Sequence, residues 1–155
     1  MQLNSIKYLD LADDYKKNKK KYLNIFDDIL SSGDYVPNKN IEILEKKISK
    51  FLKVKYCATL NSGTDALFFA FYALNFKKGD EVLTTPNTWY SSVGAIIHNG
   101  LIPKFIDIKH DQNFNENLIE SKITKKTKAI LAVHLNGKMT NVVKIKKICK
   151  KHKIK

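Results

Sequence analysis

Ser62, Gly63, Thr64 and Asp65 form a small polar turn between the apolar run "YCATL" and the strongly apolar "ALFFAFYAL". Leu67, Ala70, Phe71 and Leu74 recur at helical spacing, so the turn opens a helix. "YCATL" reads as a short buried strand, which puts the turn at a strand's carboxyl end, where α/β proteins gather ligands. Two chemistries are open. In one, Ser62 caps the helix, Gly63 eases the turn and Asp65 completes a capping box. In the other, the free N–H groups of the first turn, the Thr64 hydroxyl and the positive helix end hold an anion such as phosphate. Gly63 then lets that anion come close to the backbone. On these four residues alone, the plain cap is the commoner arrangement.

Two further loops carry unusual residues. "PNTWYSS" holds Trp89, the one tryptophan of the chain, and "HLNGK" holds His134 and Lys138. Each follows a strand-like segment, and in a parallel sheet such loops converge over the carboxyl ends of the strands. A phosphate seat and a flat aromatic at one edge suit a planar phosphorylated ligand. Taken alone, Trp89 is more simply a packing residue, and His134 a satisfied histidine at a strand end.

The elements that must position these groups alternate. "KYLNIFDDILSSG" spaces Tyr22, Ile25, Phe26, Ile29 and Leu30 as a helix that stops at Gly33. The linker "DYVPNKN" leads to a second amphipathic helix built on Ile41, Leu44, Ile48, Phe51 and Leu52. From residue 55 strands and helices alternate: "YCATL", the helix after the turn, "VLTT", a helix closed by Gly100, "PKFIDI", the short helix "NENLIESKI", "KAILAVHL" and the helix "NVVKIKKICKKH". That order predicts an α/β fold, a mainly parallel sheet with helices on both faces. Residues 1–54 form an amino-terminal helical segment, and 55–155 the first part of the α/β domain.

The formal charge of +13 invites a polyanion partner, yet all 28 basic residues are lysine and none is arginine. Arginine supplies the bidentate contacts to guanine and phosphate. The lysines are scattered, so neither nucleic acid nor a membrane surface is expected as a partner. Cys57 and Cys149 show no metal-ligand spacing and read as reduced thiols of a cytoplasmic protein; no metal site is expected. No apolar run is long enough for a membrane span.

The ordered strings "NSGTDAL", "GDEV", "PNT" plus an aromatic, "FIDI" and "VHL.G" closely resemble the DegT/DnrJ/EryC1/StrS family. These are pyridoxal-phosphate-dependent sugar aminotransferases of the aspartate-aminotransferase-like, type I fold. The resemblance runs from "YLDLADDY" to the last residue. It implies a large domain with strand order 3-2-4-5-6-7-1, of which this chain holds the first four strands. It implies pyridoxal 5'-phosphate as cofactor, with Ser62, Gly63 and Thr64 at its phosphate and Trp89 stacked on its ring. Asp65 remains a helix cap. Tyr35, in the "SG.Y" segment, is a substrate-contact candidate. The implied reaction moves an amino group from an amino acid, glutamate foremost, to a keto group of a nucleotide-linked sugar, in a homodimer. The lysine that binds the cofactor covalently and the aspartate that pairs with its ring nitrogen fall beyond Lys155 in the family's order. Lys138 does not match that lysine. Sugar dehydratases on the same scaffold differ at the lysine position, commonly carrying histidine there, so they remain an alternative, as does a non-catalytic fragment.

Overall fold

The computed structural model describes residues 8–33, 35–36 and 39–155. The chain divides into two compact units, the first ending at Thr59 and the second running from Leu60 to Lys155.

The first unit holds two helices, α1 (Leu11–Ser32) and α2 (Lys39–Leu52). Asp10 starts α1 by accepting the Asp13 N–H, and Asp13 and Asp14 place negative charge in its first turn. Gly33 ends it at φ 65°, a left-handed cap whose N–H returns to the Leu30 carbonyl. No residue of either helix is fully buried. Of the linker that joins them, residues 34, 37 and 38 lie outside the described residues.

The segment "YCATL" is a correction to the expected strand: residues 56–60 form no ladder. The strand order implied by the family places this segment beside a strand numbered seven, which is not among these 155 residues. A lone extended segment has no partner for its backbone groups and cannot count as a strand. One of those groups is satisfied otherwise. The Glu45 carboxylate of α2 accepts both the Thr59 N–H at 2.8 Å and the Thr59 hydroxyl at 2.9 Å. These bonds, the backbone one first, hold the Glu45 carboxyl below its usual range.

The second unit is a three-stranded parallel sheet with helices on both faces. Its elements are α3 (Gly63–Ala73), β1 (Glu81–Thr84), α4 (Tyr90–His98), β2 (Ile102–Phe105), α5 (Ile119–Lys122), β3 (Thr127–Ile130) and α6 (Val142–His152). The strand order is β2-β1-β3, and both pairings are parallel. Counting "YCATL" as the first segment, this is the 3-2-4 part of the implied order. β1 is central and all four of its residues are buried, as a strand covered on both faces requires. Pro103 falls on β2, the edge strand, where its missing N–H is tolerated.

The period-two alternation of the strands divides the core into two layers. Val82 and Ala129, which pair across β1 and β3, face Phe71 of α3 and Ala95 and Ile96 of α4. Leu83 and Ile130 face the other way, toward Ile119 of α5 and Ile145 and Ile148 of α6, with Ile106 and Phe114 filling the space between. After α6 the chain turns back. Lys155 donates its N–H to the Lys128 carbonyl at 2.8 Å and accepts the Ile130 N–H at 2.9 Å, one parallel rung on the outer edge of β3.

The strands are shorter than their sequence runs. β2 ends at Phe105, and only an isolated bridge, Ile108 to Phe114, continues the "FIDI" run. β3 ends at Ile130, although the Leu131 N–H still reaches the Leu83 carbonyl at 2.8 Å.

Candidate functional site

The carboxyl edge of this sheet collects the chemistry-bearing loops. Thr64 stands in the first turn of α3 and Ser91 in the first turn of α4, and their hydroxyl oxygens lie 2.8 Å apart. The loop after β1 reaches the loop after β2 through Asn87, whose side-chain N–H donates to the Gln112 carbonyl at 3.2 Å. The loop after β3 reaches the same region through Lys138, 3.3 Å from Asp111. Thr84, buried at the end of β1, donates to the Leu131 carbonyl.

In the opening turn the two hydroxyls have different duties. Ser62 accepts the Asp65 N–H at 3.1 Å and donates to the Asp65 carboxylate at 2.9 Å, a reciprocal cap. The Ser62 cap therefore holds, but Asp65 does not complete the expected capping box, because its carboxylate takes the Ser62 hydroxyl and not the Ser62 backbone N–H. The cap leaves the N–H groups of Gly63 and Thr64 without an acceptor among the described residues. Both residues are exposed and stand at the positive end of an 11-residue helix. Gly63 is informative here. Its backbone is an ordinary helical one, so no left-handed φ demands glycine, and a Cβ built on it meets no atom within 4 Å. Among the described residues nothing requires a missing side chain there; a glycine leaves the backbone open to close approach.

Trp89 is the N-cap residue of α4 and makes no side-chain cap bond. It is 67% exposed and touches Tyr90, ring centres 5.0 Å apart and tilted by 41°. It is thus not the packing residue that a lone tryptophan suggests. Its indole is an exposed aromatic surface at the start of the helix whose first turn contacts Thr64. The Thr64–Ser91 bond joins the first turn of α3 to that of α4, the helix at whose N-cap Trp89 stands. A planar, phosphorylated group fits such an arrangement: two free N–H groups and a hydroxyl for the phosphate, and an exposed aromatic face for the ring.

The remaining candidates separate. Tyr35 belongs to the first unit, and its hydroxyl donates to the Leu30 carbonyl at the end of α1, 3.3 Å away. His134 is satisfied: its Nδ1 accepts the Thr140 N–H at 3.2 Å, which places the proton of the neutral ring on Nε2. Lys138 is exposed and ion-paired to Asp111. Asp111 itself is held below the usual carboxylate range, first by the Asn113 N–H and then by Lys138 and Lys109. Nearby Glu116 is pulled below its usual value despite burial, which alone would raise it; its own backbone N–H and Lys109 outweigh the burial. Lys109 directs its hydrogen bond to Glu116 Oε1 at 3.3 Å, and its nitrogen is also 3.0 Å from Oε2. Among the described residues no group of three His, Cys, Asp or Glu side chains is arranged to hold a metal. No helix among them is long and apolar enough to cross a membrane.

Ser91 is the residue that reasoning from sequence passed over. Its signal was the pair of serines in "WYSS", directly after the tryptophan and at a helix start. Nothing in the sequence tells that one of them turns toward residue 64.

The sequence profile of the DegT/DnrJ/EryC1/StrS aminotransferase family matches residues 16–155, and the chain belongs to that family. Among similar proteins, GDP-perosamine synthase of Vibrio cholerae is 36% identical over 138 residues, 87% of this chain and 36% of that protein. The dTDP-3-amino-3,6-dideoxy-alpha-D-galactopyranose transaminase of Aneurinibacillus thermoaerophilus is 33% identical over 151 residues, 97% of this chain and 42% of its own length. Among solved structures, NtdA of Bacillus subtilis with bound cofactor PMP superposes with a TM-score of 0.91 at 30% identity. That match covers 100% of this chain and 36% of NtdA. The chain thus spans about two fifths of the length of the curated relatives it matches. Its fold is the amino-terminal part of the large domain of the pyridoxal-phosphate aminotransferases.

Proposed function

We propose that residues 1–155 form the amino-terminal part of a pyridoxal-phosphate-dependent enzyme that transfers an amino group from glutamate to a keto group of a nucleotide-linked sugar. Residues 1–54 serve as the helical lead and 55–155 as the first part of the cofactor domain. The observation that carries the reading is the pairing of an open helix N-terminus at Gly63 and Thr64 with the exposed indole of Trp89, joined through Ser91. Family membership and the GDP- and dTDP-linked products named for the relatives support the substrate class.

In this reading Gly63 and Thr64 hold the cofactor phosphate through two backbone N–H groups and one hydroxyl. Ser62 fixes the end of α3 that presents them. Trp89, exposed at the N-cap of α4, would lie against the cofactor ring and hold its plane while a bond of the substrate is cleaved. When bound, the cofactor supplies the electron sink for that cleavage. The covalent lysine and the aspartate on the ring nitrogen are supplied by chain beyond Lys155. The complete protein is a cytoplasmic homodimer, and Tyr35 contacts substrate.

The test uses the polypeptide carrying these residues together with its carboxyl-terminal remainder. Glutamate-dependent amination of keto sugar nucleotides is the expected activity, and absence of turnover with every keto sugar offered sinks the proposal. Loss of water from the sugar without amination would instead assign it to the dehydratases. Such an enzyme, GDP-4-keto-6-deoxymannose-3-dehydratase, superposes on 82% of this chain at 29% identity with a TM-score of 0.76. Thr64→Ala should raise the cofactor dissociation constant with little change in kcat, since phosphate contacts are equal in ground and transition states. Trp89→Ala should weaken binding and shift the absorption of the bound cofactor. Wild-type affinity in either variant removes that residue from the site.

A further inference from the structure

Ser91 is 3% exposed, and its hydroxyl lies 2.8 Å from that of Thr64. The neighbouring serine, Ser92, is engaged elsewhere, 2.9 Å from the Thr88 hydroxyl. Each hydroxyl has one proton and can also accept, so the Thr64–Ser91 bond has two possible directions. If Thr64 donates to Ser91, Thr64 shows only lone pairs to the space in front of α3, and lone pairs repel a phosphate. If Ser91 donates to Thr64, the Thr64 proton is released outward. The positive end of α3 and the two free N–H groups already favour an anion there, and an anion selects the second direction.

We propose that Ser91 is a positioning residue which donates its hydroxyl proton to Thr64 Oγ1 and thereby turns the Thr64 proton toward a phosphate monoester seated at the start of α3. The proposal rests on the reading of Thr64 as a phosphate ligand. Serial hydrogen bonds polarise one another, so Thr64 becomes a stronger donor than an isolated hydroxyl. The same bond ties the phosphate seat to α4, whose N-cap residue is Trp89. The phosphate and ring subsites are therefore linked by a buried side chain that need not touch the ligand.

The test measures noncovalent binding of pyridoxamine 5'-phosphate, with phosphate-free pyridoxamine as control, to the full-length protein and to Ser91→Ala, Thr64→Ala and the double variant. Ser91→Ala should weaken pyridoxamine 5'-phosphate by about five- to tenfold, as for a bond acting on a charged contact at one remove. It should leave pyridoxamine binding and the melting temperature of the ligand-free protein unchanged. In the Thr64→Ala background, where there is nothing to orient, it should add no further loss. Ser91→Thr, which keeps the hydroxyl, should restore most of the affinity. If Ser91→Ala melts early, Ser91→Cys takes its place in the cycle, since a thiol is the weaker donor. Unchanged affinity, equal loss for both ligands, or the same loss in the Thr64→Ala background overturns the assignment of Ser91 while leaving Thr64 in place. If Thr64→Ala itself binds pyridoxamine 5'-phosphate normally, the phosphate reading falls and the Ser91 proposal with it.

Discussion

Ser62 and Thr64 are two residues apart and both carry a hydroxyl, yet one is turned to the helix and the other away from it. Ser62→Ala should therefore cost about 1 kcal/mol of stability, the usual value of an N-cap, with at most a small change in cofactor affinity. Thermal melts and binding titrations read the two effects separately; a large affinity loss with no change in melting would reverse the assignment. The cap was legible in the sequence because it is local: Ser62 and Asp65 stand three residues apart, and their types announce the bond. The partner of Thr64 was not legible, because Ser91 is 27 residues away and only the packing of α3 against α4 brings them together. Gly63 lay between these cases. Its type was visible, but only the structure shows an ordinary helical backbone with no atom within 4 Å of a built Cβ.

The helices ended where their sequences said they would, at Gly33 and Gly100, because a left-handed residue after a helix is a local requirement. The strands were less readable. Apolar, β-branched runs mark a segment that suits a sheet, but a strand exists only with a partner, and "YCATL" has none here. α4 has the greatest leverage on the candidate site, since it carries both Trp89 and Ser91, and its fully buried Ile96 anchors it on the sheet. Ile96→Ala should cost about 2–5 kcal/mol and Ile96→Val about 0.5–1.5, measured by urea unfolding. Similar, small losses for both would show that α4 is not anchored there. On the opposite face, α5 and α6 are tied by Glu120, whose carboxylate accepts Lys151 at 2.6 Å and His152 at 3.0 Å. The Lys151 bond first, then His152, lowers its pKa from 4.5 to about 2. A depressed carboxylate pKa contributes stability that is present above the unfolded value and lost as pH falls through the folded one. The stabilising effect of Glu120 over Glu120→Gln should thus hold at neutral pH, shrink below about pH 4.5 and vanish near pH 2. It should be small and weaken in salt, since the pair is half exposed. A carbon-detected NMR titration of the Glu120 carboxyl with its midpoint near 4.5 would contradict the pairing.

At the scale of the molecule, α1 and α2 leave Leu11, Phe26, Leu30, Phe51 and Leu52 exposed, and β2 shows an unpaired outer edge. Apolar surface and open sheet edges of this kind favour association between chains. Residues 1–155 expressed alone should bind a hydrophobic dye, elute as more than a monomer and unfold without a sharp transition. A stable monomer with a cooperative melt would show that these surfaces are tolerated in water.

The single rung made by Lys155 carries one bit of information, and that bit is phase. Because Lys155 is paired within the outer edge of β3 opposite Ala129, it shares the facing of Ala129 toward α3 and α4. Any residues that run on from it in extended form inherit their facing by parity. Odd steps past Lys155 turn toward Ile145 and Ile148, and even steps toward Phe71 and Ile96. The side-chain address of a continuing strand is thereby set before its first residue is known.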